Sequence, residues 1–96
     1  MKNLFEIQLE DIRGKTLTGA DGKPVLAGNV VLEVILMETK EDQNGQDIGA
    51  NKLARFDLAR RCAAGDDLSD DDKSFIRARA ARVCSALVYA RLLEIL

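Results

Sequence analysis

Apolar and polar residues alternate from Phe5 to Glu10, the two-residue period of a strand with one buried face. Asp11-Ile12-Arg13-Gly14 then supplies a turn and Lys15-Thr16-Leu17-Thr18 a short return, so the chain is expected to open with a β-hairpin. Residues 19–24 make a second turn cluster, in which glycine permits positive φ and Pro24 opposes helix. From Val30 to Met37 the pattern is almost continuously apolar and rich in β-branched residues, which alone would favour a buried strand. Asn29 just ahead is a good helix N-cap, and Glu33 and Glu38 fall where a helix would turn polar, so a helix over 27–38 is predicted.

Residues 39–50 contain Asn44-Gly45, Gly49 and several charges, and read as a loop of about a dozen residues. Good helix formers fill 50–64, with Leu53, Phe56, Ala59 and Ala63 as the apolar side and Gly65 as the C-cap. The longest periodic segment is 70–95, where Ile76, Ala80, Val83, Leu87 and Ala90 recur at helical spacing. The expected fold class is therefore α+β, an N-terminal β-hairpin packed on a three-helix bundle, mainly α. Residues 1–96 form a single domain, divided into a hairpin element at 1–25 and three helices at 26–96. The pattern displays no internal repeat.

Composition narrows the class without naming a role. Ninety-six residues, 47% hydrophobic and 31% charged with a net charge of −2, describe one small globular domain. No run of apolar residues is long enough to span a bilayer and no export signal precedes Phe5, so no membrane association and a cytoplasmic location are expected. Cys62 and Cys84 each sit among small apolar residues, where a thiol acts as a small hydrophobe. Without histidine or a C-x-x-C pair the chain offers no zinc ligand set, and no metal or other cofactor is implied.

The densest chemistry is Gly65-Asp-Asp-Leu-Ser-Asp-Asp-Asp-Lys73. As a calcium loop it fails: counting from Asp67 puts Asp72 where glycine belongs and Ala78 where a bidentate glutamate belongs. As a helix start it needs nothing more, with Ser69 as N-cap and Asp70, Asp71 and Asp72 at the positive end of the dipole. Three successive helical aspartates point apart, so no acid–base dyad follows, and no serine or cysteine has a histidine to activate it. Gly14 and Gly19 match the glycine spacing of a phosphate loop, yet Ala20-Asp21 stand where lysine and a hydroxyl are required. The chain is expected not to be an enzyme.

Two interaction readings remain. Arg55, Arg60, Arg61, Arg79 and Arg82 could form a phosphate-binding face for nucleic acid, the alternative that a pI near 5.1 weighs against. The plainer reading is a solvated face in which Asp57 pairs with Arg61 across one turn. The C-terminal segment is apolar around most of its helix. Leu87, Val88, Leu92, Leu93, Ile95 and Leu96 must be covered either by the N-terminal element or by a protein partner, of which a second copy of the chain in a homo-oligomer is one form.

The order of these segments resembles a group of small bacteriophage- and prophage-encoded proteins of about a hundred residues. The resemblance rests on D-G-K-P at 21–24, the apolar helix ending near Met37, K-L-A-R-F-x-L-A at 52–59, D-L-S-D-D-D-K-S-F-I at 67–76 and R-L-L-E at 91–94. It covers nearly the whole chain through helix-start and packing patterns. It implies helix at 30–37 and a role in the host cytoplasm, and transfers no catalytic or binding residue. The expected function is a non-catalytic interaction or assembly protein acting through helical protein–protein contacts.

Overall fold

The computed structural model describes residues 3–39 and 48–96. Within them the chain is mainly helical: α1 is Ala27–Leu36, α2 Ile48–Ala63, α3 Asp70–Val83 and α4 Ala86–Ile95, preceded by a 3-10 turn at Leu4–Glu6. The expected α+β class, with a β-hairpin on three helices, is overturned, because no strand or sheet forms among the described residues. The expected loop at 39–50 lies outside the described residues for 40–47, and 48–50 already belong to α2.

What replaces the hairpin is a pair of eight-residue units, 9–16 and 17–24, in which Leu, Gly and Lys recur at the first, sixth and seventh places. Each unit makes the same turn. In the first, Asp11 N–H donates to Lys15 O (2.7 Å) and Gly14 N–H to Asp11 O (3.1 Å); in the second, Gly19 N–H donates to Lys23 O and Gly22 N–H to Gly19 O, both 2.9 Å. Gly14 and Gly22 take φ of 83° and 77°, a backbone that glycine adopts without penalty. An internal repeat therefore exists, carried by backbone geometry more than by side chains.

The eight-residue period closes a ring. Leu9 N–H donates to Val25 O (2.9 Å), Val25 N–H to Leu17 O (2.8 Å) and Leu17 N–H to Leu9 O (2.8 Å), so each residue gives one bond and takes one. Around it the antiparallel pairing is limited to the single bridges Gln8–Leu26, Glu10–Thr16 and Thr18–Pro24. A chain that turns every eight residues leaves each side too short for a ladder, which is why the alternation at 5–10 does not become a strand. Phe5 and Glu6 are taken by the 3-10 turn instead.

The ring delivers the chain to α1. Ala27 N–H donates to Ile7 O (2.8 Å), so the main chain satisfies the first donor of the helix, and Asn29 lies inside the helix rather than capping it. A Cβ at Gly28 would stand 2.6 Å from the Phe5 ring, so glycine here allows the 3-10 turn to press onto α1. The buried core combines Leu9 with Ala27, Val31, Val34 and Ile35 of α1, Leu58, Ala59 and Cys62 of α2, Ile76 and Ala80 of α3, and Leu92 of α4.

Two helix boundaries decide the rest. Gly65, at φ 81°, ends α2, with its N–H on Cys62 O and the Asp66 N–H on Arg61 O. The helix expected over 70–95 divides: Cys84 is extended and Ser85 accepts from Val88 N–H (3.4 Å), starting α4 afresh. Serine at this point competes for the backbone and favours a cap over a helix interior.

Candidate interaction surfaces

The arginines separate into buried clamps and exposed cations. Arg55 is 3% exposed and its guanidinium donates to Ile35 O (3.2 Å) and Met37 O (3.3 Å), with Asn51 Oδ1 and Glu38 Oε1 as further acceptors. Arg79, 5% exposed, donates to Val34 O (2.9 Å) and to Met37 O, and lies 5.8 Å from the centre of the Phe75 ring. Together they satisfy carbonyls at the C-terminal end of α1, where a helix has no acceptors' partners of its own and where cations are favoured. Their forks are spent inside the protein.

Arg61 bridges two helices, donating to Asp57 Oδ2 (3.1 Å) on α2 and to Asp72 Oδ2 (2.9 Å) at the start of α3. Arg60 pairs with Asp57 at the surface (2.8 Å), and Arg82 is exposed on α3. Of the five arginines named as a nucleic-acid face, Arg55 and Arg79 are thus buried and Arg61 is tied to two carboxylates. The five are not brought together as one outward surface.

The acidic cluster resolves as a helix start. Ser69 Oγ accepts from Asp72 N–H (3.0 Å) while Asp72 Oδ2 accepts from Ser69 N–H (3.1 Å), a reciprocal capping box. The Arg61 guanidinium, aided by the Ser69 bonds, holds the Asp72 carboxyl down to about 2. Asp57 is likewise lowered, by hydrogen bonds from Arg60 and then Arg61. Among the described residues no group of three potential ligands could hold a metal ion, and no buried side-chain nitrogen or oxygen lacks a partner. Burial pushes both thiols up, Cys84 with help from Glu33, the direction opposite to an activated thiolate.

The C-terminal helix turns most of its apolar surface inward. Leu92 is buried, Val88, Ile95 and Leu96 pack on the core, Leu87 is half-buried, and only Leu93 of the six expected contact residues is exposed. Arg91 anchors this helix to the first eight-residue turn through Glu10 O (3.1 Å) and Asp11 O (2.6 Å), and Arg77 reaches Leu96 O (2.7 Å). The N-terminal element therefore supplies part of the cover.

The unexpected apolar surface is on α1 and α2. Leu53 is 72% exposed and Phe56 59%, one turn apart, because α2 turns Arg55, Leu58, Ala59 and Cys62 inward. The expected core stripe of Leu53, Phe56, Ala59 and Ala63 is corrected accordingly: only Ala59 of the four is buried. On the far side of α1, Leu36 and Met37 are exposed and Val30 and Leu32 half-buried, with Asn29 and Glu33 as the polar residues among them. Two depressions meet at Glu33: one of about 540 Å³ against the second eight-residue turn, and one of about 390 Å³ walled by Leu32, Leu36 and Met37. The readable signal was that 26–37 is apolar apart from Asn29 and Glu33, a pattern that demands cover on more than one face.

No family model, no curated protein and no solved structure matches this chain. No helix among the described residues is long and apolar enough to cross a membrane.

Proposed function

We propose that this protein is a non-catalytic interaction module that binds another protein through helical contacts, in the setting of phage or prophage assembly. The observation that carries the reading is the pair Leu53 and Phe56, two large apolar side chains held in water on a helix whose other side is already packed. Leaving both exposed forfeits transfer free energy of about 1.5–3 kcal/mol each, and aromatic anchors of this kind dominate protein interfaces. The outer face of α1, with Leu36 and Met37, offers a second such surface. The phage setting has only the shared order of sequence motifs in its support.

A photo-crosslinking residue at Leu53 or Leu36, with Ala81 on the exposed side of α3 as control, tests the reading in cells. Adducts of one defined mass from the two apolar positions, and none from Ala81, are expected. If the apolar positions crosslink no protein more efficiently than the control, the interaction reading fails.

A further inference from the structure

The two outward apolar faces differ in charge. On α2 the exposed stripe carries Lys52, Leu53, Phe56 and Arg60, which fall within about 100° of one another around the helix axis. Its apolar pair is preceded by Lys52 and followed one turn on by Arg60, which already pairs with Asp57. On α1 the outer face carries Val30, Leu32, Leu36 and Met37 around Glu33, and α1 itself contains no basic residue. The depression beside it holds Asp21 and Glu33 against Lys23 alone, so this surface is apolar with an acidic centre.

We propose that these faces are the two halves of one contact, the α2 stripe of one copy seating on the outer face of α1 of a second copy. Leu53 and Phe56 seat on the depression walled by Leu32, Leu36 and Met37, and Lys52 meets Glu33. The partner is a second copy because both complementary surfaces are present on one chain. Neither can reach the other within that chain, since α1 and α2 pack on each other through their opposite, buried sides. A contact between two different faces is heterologous, so repetition builds a ring or an open filament rather than a closed pair. Charge sets the register, and the burial of Phe56 supplies most of the attraction. The inference rests on the interaction reading above and names its partner.

Two variants separate the halves. Glu33→Lys with Leu36→Lys spoils the α1 face, and Leu53→Asp with Phe56→Asp spoils the α2 face; all four side chains are exposed, and unchanged circular dichroism verifies folding. By sedimentation the wild-type protein should form concentration-dependent species larger than a dimer. Each variant alone should be monomeric, with self-association weakened about tenfold or more. An equimolar mixture should give a heterodimer and nothing larger, because one intact face remains on each partner. A wild-type protein that stays monomeric, or stops at a dimer, overturns the inference, as does either variant assembling like wild type or a mixture that stays monomeric. Crosslinks from Leu53 to a different protein would sink this inference while leaving the interaction reading standing; absence of crosslinks would sink both.

Discussion

The C-terminal end of α1 and the N-terminal end of α3 solve one problem, unpaired backbone groups at a helix terminus, in opposite surroundings. At α3 the partners are local and wet: Ser69 and Asp72 serve each other three residues apart, and Arg61 joins from the neighbouring helix. At α1 they are distant and dry. The carbonyls of Val34, Ile35 and Met37 receive guanidinium donors from Arg55 and Arg79, the latter 42 to 45 residues further along the chain. The first device is a property of a short peptide, whereas the second exists only when three helices are already in place. It follows that the exposed cap tunes stability, and the buried clamp is part of what the fold is.

The largest effect should come from Arg79→Met, which keeps the length of the stem and removes the fork. Each charge-assisted hydrogen bond lost is worth about 1.5–3 kcal/mol, and the buried Val34 carbonyl is left without its guanidinium donor, so the denaturant midpoint should fall steeply with an unchanged slope. Arg55→Met should act in the same direction. The double variant should cost more than the two single losses together, because Met37 O keeps one guanidinium donor in either single variant and loses both only in the double. A midpoint for Arg79→Met close to wild type would remove the distinction between clamp and cap.

A smaller loss, about 0.5–2 kcal/mol, is expected for Ser69→Ala, which removes half of the capping box. Calcium should leave the melting temperature of both proteins unchanged; a rise on adding it would show the aspartates acting as ligands and not as a helix start.

The smallest effect is electrostatic. Asp72 has its folded-state value lowered from 3.8 to about 2, so its contribution is complete above the unfolded value and disappears as pH falls through about 2. Asp57 shifts in the same direction. The melting temperature of wild type should therefore exceed that of Arg61→Gln by a constant margin from neutrality to about pH 4, then converge on it in stronger acid. The margin should be modest, since these groups are in contact with water. A gap that widens in acid would contradict the assignment.

The same contrast explains what could be read from the residues. Ser69, the aspartates after it and Gly65 were legible because a cap is decided within four or five residues. Arg55 and Arg79 were not, because a charged side chain in a helical pattern reads as surface until its acceptors are known, and those acceptors lie on another helix. Assigning Arg55 to water placed the apolar side of α2 on Leu53 and Phe56, the stripe now seen outside. The hairpin expectation failed differently. Alternation at 5–10 is compatible with any extended segment, and the turns that cut it into single bridges repeat in backbone conformation while sharing only three side-chain identities. Ser85, a cap in the middle of a periodic run, was the missed sign that one helix is two.

The closed circuit through Leu9, Leu17 and Val25 has a consequence for how the amino-terminal third comes apart. Breaking any edge of a three-membered cycle frees one donor and one acceptor and slackens both remaining edges, so fraying from one end has no partial stopping point. The two turns, joined by these backbone bonds and by the packing of Leu17 and Val25 on the core that holds Leu9, should be lost together or kept together. Exposed tip side chains such as Ile12 and Ala20 are then free to vary without cost to the circuit, whereas Gly14 and Gly22, with their positive φ, and the count of eight between corners are not.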